Sequence, residues 1–269
     1  MTNEPPSDRP QRPYILVTND DGIEAIGLWH LAEALLPFAD VMISAPAFNQ
    51  SGTGTALNLH SDLQTERAHS RLEGVDAFQA NGTPADAVGI GLRQHAKPRR
   101  VHMIVAGVNP GANMGRDAIH SGTVGAAMQG HHRSMPSVAV SLASTDEKHL
   151  PDAAAVGARI AATLWASGQS QFLNVNVPDL PLAELTEMQV TRMAQASTER
   201  IVEEKDEHGM IRRRIESRDD PRVREGTDAW AVRNGIISVT PIHTDLTAHH
   251  EMNKALALFG EGFSLPAAD

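Results

Sequence analysis

The first two thirds of the chain alternate between short apolar runs and segments with helical spacing, and this alternation restricts the fold more than any other feature. The strand-like runs are residues 14–18, 41–43, 75–80, 101–106, 137–142 and 172–177. Residues 101–106 are almost purely apolar, as expected for a central strand that is buried on both faces. The pattern predicts an α/β fold with a doubly wound, mainly parallel Rossmann-like sheet and right-handed crossovers.

Between these runs, apolar residues at helical spacing predict helices. The first helix covers residues 26–36 and ends at Pro37, and Thr83 caps a second helix whose first residue is Pro84. Two further helices are predicted at about 123–131 and 152–165, and residues 107–122 form a long glycine-rich loop before the third helix. These helices supply the crossovers between the predicted strands.

The pattern changes in the last third. Residues 189–193 and 230–240 have strand character, and Asp245 is placed to cap a final helix that ends near Phe259. Residues 198–225 are dense in mixed charge, and His208-Gly209 is a plausible hairpin turn within them. This segment is either a solvated hairpin or an arm exchanged with another subunit, because a lone two-stranded ribbon is only marginally stable.

Composition excludes several classes of function. The 269 residues carry a formal charge of −10, which argues against a general nucleic-acid-binding surface. The absence of cysteine excludes disulfides and thiolate metal sites. Residues 1–13 are polar and proline-rich without an apolar h-region, and no uncharged stretch is long enough to span a membrane. We therefore expect a disordered N-terminal tail and a cytoplasmic protein.

Two adjacent carboxylates follow the first strand directly. Asp20 and Asp21 stand between that strand and Gly22, at the carboxyl edge of the predicted sheet, where open α/β folds bind ligands. Adjacent like charges repel, so the site requires a cation or a proton. A hard divalent metal with oxygen ligands fits, whereas simple turn formation and helix capping are the alternative.

Two further loops are predicted at the same edge. Ser51 lies in a glycine-rich loop after the second strand, and Asn109 follows the strand at 101–106. The sequence Ser121-Gly122-Thr123 opens the third helix, where N–H donors, two hydroxyls and the macrodipole suit a phosphate; Ser121 also suits an N-cap. The glycine fingerprints of ATP and NAD sites are absent. Carboxylates, neutral oxygens and an anion site at one edge indicate metal-assisted phosphoester hydrolysis.

Six ordered motifs resemble the SurE family of stationary-phase survival nucleotidases. They are residues 15–22, 49–52, 81–86, 107–115, 121–124 and 226–228, and the resemblance extends over about 14–259. It implies one α/β domain with an exchanged arm at about 195–230 and a C-terminal tail at 260–269. It also implies one divalent metal ion per subunit (Mg²⁺ or Mn²⁺, with Ca²⁺ possible in a crystal) bound by Asp20, Asp21, Ser51 and Asn109, and a phosphate pocket formed by Asn113, Ser121, Gly122 and Thr123.

The reaction that follows is the hydrolysis of nucleoside monophosphates, at the 5′ and possibly the 3′ position. Asp20, Asp21 and Asn113 are the expected catalytic residues, and either aspartate could orient or deprotonate the attacking water. The resemblance further implies a homodimer or homotetramer assembled through the C-terminal β-hairpin arm and the terminal helix, with no stable nucleic-acid or membrane partner. Two alternatives remain: an aspartyl-phosphate enzyme, for which the interval from Asp20 to Thr123 offers only Lys97, and a non-catalytic receiver-like module.

Two positions depart from the family pattern, and several histidines require separate treatment. His120 stands where the family often has tyrosine, and Gln129 stands where it usually has glutamate. The adjacent pairs at 131–132 and 249–250 do not share a helix face, so we do not expect them to bind a metal. Asp245 and His249, one helical turn apart, are expected to stabilise the last helix or an interface.

Overall fold

The computed structural model describes residues 12–60, 62–196, 199–205, 210–217 and 220–260. In these residues the first half of the chain forms β1 (Tyr14–Thr18), α1 (Ile26–Leu35), β2 (Asp40–Pro46), β3 (Thr65–Arg67), β4 (Asp76–Ala80), α2 (Pro84–Ile90), β5 (Met103–Pro110) and α3 (Gly122–His131). The second half forms β6 (Ser137–Leu142), α4 (Leu150–Ala166), β7 (Phe172–Val177), β8 (Met188–Val190), β9 (Glu199–Lys205), β10 (Ile211–Ser217), α5 (Asp228–Arg233), β11 (Ile237–Ile242) and α6 (Met252–Phe259).

Nine strands of the described residues form one sheet in the order β3-β4-β2-β1-β5-β6-β7-β11-β8. Neighbouring strands are parallel except at the pairs β3–β4 and β11–β7. The strand order reverses between β1 and β5, so the carboxyl ends of these two central strands form the topological switch point. The predicted doubly wound, mainly parallel sheet is confirmed.

Helices cover both faces of the sheet because every central strand has an apolar side chain on each face. α1 and α4 pack together on one face, and α2 and α3 pack on the other. Along β1, Ile15 and Val17 enter the core beneath α1 and α4, whereas Tyr14 and Leu16 enter the core beneath α2 and α3. This alternation explains why a strand that is buried on both faces has a continuous apolar sequence.

The structure extends one predicted strand into a predicted loop. β5 was expected to end at residue 106 but continues to Pro110, with a register irregularity between Ala106 and Asn109. The remainder of the predicted 107–122 loop contains a 3₁₀ helix at Gly115–His120. Asn109 therefore lies near the end of β5, after the irregularity, and not in a loop. β3 and the π-helical turn Gly91–His95 had no sequence prediction.

Two predictions near the C-terminus are wrong. Trp230 and the residues to Arg233 are helical, not a strand, and Gly235 at φ +73° ends this helix before β11 begins. Asp245 does not cap the final helix, which begins only at Met252. Instead its carboxylate accepts the Thr247 N–H (2.8 Å) and contacts the His249 ring (2.5 Å). The strand predicted at 189–193 lies slightly earlier, at β8.

The charged segment contains a two-stranded antiparallel sheet, β9 with β10, separate from the main sheet. Its predicted turn at His208-Gly209 lies outside the described residues, as do almost all of the predicted tails at 1–13 and 260–269. Arg12 is described, and it pairs with Asp40 (2.6 Å) and donates to the carbonyl of Ala39 (2.7 Å). Among the described helices, none has the length and apolar character needed to cross a bilayer.

Candidate active site

The loops that follow β1, β2 and β5 meet at the switch point, and backbone hydrogen bonds connect them. The Gln50 N–H donates to the Asp20 carbonyl (2.7 Å), which joins the loop after β2 to the loop after β1. The Gly54 N–H donates to the His120 carbonyl (3.0 Å), which joins the loop after β2 to the residue before Ser121. The sequence-predicted residues Asp20, Ser51, Asn109 and Ser121 therefore reach one site from different parts of the chain.

Asp20 is buried against the first turn of α3. Only 3% of its surface is exposed, and its carboxylate accepts a hydrogen bond from the Thr123 hydroxyl. Burial raises the pKa of Asp20, whereas the Thr123 hydroxyl and the N–H groups of Thr123 and Gly122 oppose that rise. A side chain at Gly122 would place its Cβ 2.7 Å from the Asp20 Cβ, so this approach requires glycine. The helix N-terminus thus stabilises a protein carboxylate.

Asp21 has the other unusual environment. Burial, then the charge of Asp20, then the charge of Glu147, raise its pKa to about 7. Its Oδ1 receives only a long contact from the Asn49 amide (3.4 Å), and its Oδ2 is buried without a hydrogen-bond partner. A buried carboxylate oxygen without a partner is costly, and a bound cation would remove that cost.

Neutral oxygens complete the donor set. The Asn109 amide nitrogen donates to the Gly111 carbonyl (2.6 Å), so its amide oxygen is the atom left to face a cation. The Ser51 N–H donates to the Asn49 side chain (2.8 Å), and Ser51 lines the same cavity as Asp20 and Asn109. Among the described residues, no group of three or more His, Cys, Asp or Glu side chains is arranged so that these side chains alone could hold a metal ion. Two carboxylates with two neutral oxygens still fit a hard divalent ion.

The cavity at this edge has a volume of about 860 Å³. Ser121 lines it and caps α3 by accepting the Val124 N–H (3.2 Å), so its hydroxyl proton is available to an acceptor in the cavity. Asn113 lines it too, and donates through its amide to the Ser141 hydroxyl (2.8 Å), which leaves one amide N–H. Gly122 and Thr123, which were also predicted to bind phosphate, contact Asp20 and are not among the residues that line the cavity.

Sequence reasoning missed several residues of the site. Glu147 acts on Asp21 from the 3₁₀ helix after β6, and Asp117, Asp179 and Arg233 line the cavity. Asn176 accepts the backbone N–H of Asn113 (2.8 Å) from β7. A usable signal existed for Asn174 and Asn176, which are polar residues within an otherwise apolar strand and are fully buried. Nothing comparable identified Glu147 or Arg233.

His120 and Gln129, the two positions that depart from the family pattern, have different environments. His120 is exposed and lines the cavity, whereas Gln129 is buried near the end of α3, where Arg133 donates to its side-chain oxygen (3.3 Å). The His131 ring packs 5.9 Å from the Phe172 ring. Of the two departures, only His120 therefore lies where a bound ligand would contact it.

Known proteins share both the sequence and the fold. Residues 15–200 match the family described as Survival protein SurE. A 5′-nucleotidase SurE from Dehalococcoides mccartyi is 39% identical over 240 residues, covering 86% of this chain and 89% of the relative. A 5′/3′-nucleotidase SurE from Klebsiella pneumoniae is 41% identical over 244 residues, covering 88% and 94%.

A solved structure supports the same assignment. The crystal structure of the SurE protein from Aquifex aeolicus has a TM-score of 0.79 and 34% sequence identity, and the match covers 91% of this chain and 99% of that one. The match extends over nearly the full length of both chains. On sequence and on fold, the chain belongs to the SurE family.

Proposed function

We propose that this protein is a divalent-metal-dependent nucleotidase that hydrolyses nucleoside monophosphates. One observation carries the proposal: Asp20, Ser51 and Asn109 bring oxygen ligands from the loop after β1, the loop after β2 and the end of β5 to a single cavity, and Ser121 lines that cavity at the start of α3. Family membership and the nucleotidase names of the relatives support the reaction class. The 5′/3′ designation of one relative supports hydrolysis at either ribose position.

The ion would be held by Asp20, Asp21, Ser51 and Asn109. When bound, a divalent ion polarises a phosphoryl oxygen and acidifies water. We assign proton acceptance from the attacking water to the Asp21 carboxylate, whose Oδ2 has no hydrogen-bond partner. Asp21 is not among the residues that line the cavity, so in this role the attacking water would lie between the Asp21 carboxylate and the cavity.

The remaining residues bind and orient the phosphoryl group. The Ser121 hydroxyl and the remaining amide N–H of Asn113 are donors on the cavity wall, placed to stabilise charge that develops on phosphoryl oxygens. Gly122 and Thr123 donate hydrogen bonds to Asp20, and these favour its ionised form against the opposing effect of burial. In this assignment the first turn of α3 serves the metal through Asp20 and the phosphate through Ser121.

The geometry and the names of the relatives weigh against the two alternatives. An aspartyl-phosphate enzyme needs an accessible nucleophilic carboxylate, yet Asp20 is 3% exposed and already bound by Thr123. The described residues that line the cavity include no lysine. A non-catalytic receiver-like module is disfavoured because the relatives are named as nucleotidases. Acid quench during turnover, followed by a search for phosphorylated protein, tests the first alternative.

Phosphate release from nucleoside monophosphates tests the proposal. With Mg²⁺ or Mn²⁺, we expect turnover that chelation abolishes and metal restores. Asp20→Asn and Asn109→Ala should each lower turnover by at least about a hundredfold, because each removes a metal ligand, while circular dichroism shows an intact fold. Asp76→Asn is the matched control, since Asp76 forms an exposed ion pair with Arg67 at the start of β4. Undiminished turnover by metal-depleted protein would contradict the proposal.

A further inference from the structure

The motif Gly226-Thr227-Asp228 supplies no residue to the metal or the phosphate, yet its aspartate is fully buried beside the active-site loop. Asp228 is the first residue of α5. Its Oδ2 accepts the Gly115 N–H (2.8 Å), and its Oδ1 accepts the N–H groups of Ala194 and Ala229 (both 2.8 Å). One carboxylate therefore joins three segments that are distant in the sequence.

The Gly115 contact lies between two residues that face the substrate. Gly115 begins the 3₁₀ helix that connects Asn113 to Ser121. Asn113 is held on its other side by Asn176 and Ser141, so Asp228 supplies the fixed point at the opposite end of that residue's loop. Gly115 has φ +54°, and a Cβ there would lie 2.4 Å from the Ala196 carbonyl oxygen. The backbone at this point thus has little freedom while the contact is made.

The surrounding contacts make Asp228 itself a rigid anchor. The Asp228 N–H donates to the Arg192 carbonyl (2.9 Å), and the Arg192 N–H donates to the Gly226 carbonyl (3.1 Å). Met114, Ala194 and Ala229 form a small buried apolar cluster next to the carboxylate. The carboxylate is therefore fixed by its own backbone and by the packing around it, and it can hold Gly115 in place.

We propose that Asp228 is a positioning residue for the phosphate-binding side of the site. By accepting the Gly115 N–H, it fixes the path from Asn113 to Ser121 and so the distance between the two donors that face the phosphoryl group. It makes no contact with Asp20, Ser51 or Asn109, so the metal side of the site does not depend on it. The assignment rests on the proposed function, because it takes Asn113 and Ser121 as the phosphate donors.

Asp228→Asn changes this contact selectively. The amide oxygen can keep the two hydrogen bonds from Ala194 and Ala229, which places the NH₂ group against the Gly115 N–H, donor facing donor. Asp228→Ser is the second variant: it is smaller, cannot reach Gly115 and keeps a hydroxyl near the start of α5. Val239→Ala, in the apolar core under α4, is the control for general loss of stability.

The measurements separate the phosphate side of the site from the metal side. For both Asp228 variants we expect inorganic phosphate to inhibit about ten- to a hundredfold more weakly, with a matching loss of kcat/KM, because small misplacements of binding groups have effects of that size. The Mn²⁺ dissociation constant should stay within about twofold of the wild-type value, and hydrogen exchange should rise in peptides that cover residues 113–121.

Each other outcome counts against one idea or the other. Phosphate inhibition that weakens no more than in Val239→Ala overturns the positioning role. Parallel loss of Mn²⁺ and phosphate binding also overturns it, since that result indicates general disruption. A wild-type protein that binds phosphate but hydrolyses no nucleoside monophosphate contradicts the proposed function, and direct calorimetric titration of phosphate together with the exchange measurement then decides the role of Asp228.

Discussion

Asp20 and Asp21 are neighbours in the sequence, but their environments differ sharply. Asp20 has donors from α3 on its carboxylate, whereas Asp21 has a buried oxygen without a partner and a third carboxylate, Glu147, nearby. Separating the behaviour of two adjacent carboxylates in this way is a common means of giving them different tasks. Here it separates Asp20, whose carboxylate accepts hydrogen bonds from α3, from Asp21, whose raised pKa lets it take up a proton near neutral pH when no metal is bound.

Thr123→Val should weaken metal binding without removing a ligand. The substitution keeps the shape of the side chain but deletes the hydroxyl that donates to Asp20, so the pKa of Asp20 rises further and its charged form is less stable. Loss of a group that orients a metal ligand typically costs roughly ten- to a hundredfold in affinity. Calorimetric titration with Mn²⁺ measures the effect, and Thr123→Ser, which restores the hydroxyl, should bind as the wild type does. Equal affinities for valine and serine would contradict this role.

Metal affinity should depend on pH through Asp21. In the metal-free protein its pKa is raised to about 7, so below that pH an incoming ion must displace a proton. The apparent dissociation constant should therefore rise about tenfold per pH unit below 7 and level off above it. Glu147→Gln removes a negative charge that raises the pKa of Asp21, so the onset should move to lower pH. Titrations from pH 8 to pH 5 check both statements, and a flat profile would exclude Asp21 as a ligand.

At the scale of elements, α2 holds the loop that carries Ser51. The Thr83 hydroxyl accepts the Asp86 N–H (3.1 Å) and Asp86 accepts the Thr83 N–H (3.0 Å), a capping box at the helix start. Asp86 also accepts the side-chain amide of Asn58 (3.0 Å), and the Thr83 hydroxyl donates to the Ala56 carbonyl (2.7 Å). The 81–86 motif therefore anchors a loop of the site rather than contributing a ligand.

Asp86→Ala should lower both stability and metal affinity. It leaves the buried Thr83 N–H and the more exposed Asn58 amide without their acceptor, for an expected cost of about 1–3 kcal/mol in the free energy of unfolding. It also releases the loop between Ser51 and Asn58, which should weaken Mn²⁺ binding. Asn58→Ala is the comparison, because it removes only the side-chain contact to Asp86: the Asn58 N–H still donates to Asp86 (3.2 Å) and the capping box remains. Denaturant unfolding and Mn²⁺ titration of both variants provide the test; affinity that remains unchanged in both would show that the loop does not position Ser51.

The elements that sequence predicts well are those with an unambiguous period. The apolar runs of β1, β6 and β7 match the structure residue for residue, because both faces of those strands are buried. The region after residue 226 was harder, since Trp230 and its neighbours fit a short helix and a strand equally well. Asp228 as the first residue and Gly235 after the last residue decide in favour of the helix, and their effect depends on tertiary contacts.

The site was predictable where it follows from topology. Loops after parallel strands must share one edge, so Asp20, Ser51 and Asn109 could be brought together from the sequence. The sequence could not show that the Asp20 carboxylate lies at the N-terminus of α3, because this contact depends on how closely Gly122 approaches Asp20. The same holds for Glu147, whose effect on Asp21 arises from the path of the chain after β6.

At the scale of the whole molecule, charge and fold act in opposite senses on an anionic substrate. The chain carries a formal charge of −10, and three carboxylates, Asp20, Asp117 and Asp179, line the cavity. Arg233, at the end of α5, is the lining residue with a permanent positive charge among those that the structure describes. A bound divalent ion would therefore do more than assist the reaction, because it would also reduce the repulsion that a phosphate meets on entry.

The C-terminal helix, α6, has exposed apolar side chains that bear on how the protein assembles. None of the residues of α6 is buried, and Leu256, Leu258 and Phe259 are 60%, 72% and 63% exposed. A helix of eight residues is only marginally stable in water without tertiary packing. Large apolar side chains on such a helix indicate that another surface covers them, and we propose that this surface belongs to a second copy of the chain.

Replacing Leu256 and Phe259 together with aspartate should therefore shift the protein from a dimer or tetramer to a monomer, because the charges cannot be buried in the contact. Light scattering coupled to size-exclusion chromatography measures the change directly. Lys254→Ala is the matched control, since Lys254 lies on the same helix and forms only an exposed ion pair with Glu251 (2.9 Å). A wild-type protein that is already monomeric, or a double variant that keeps the wild-type mass, would show that α6 has no role in assembly.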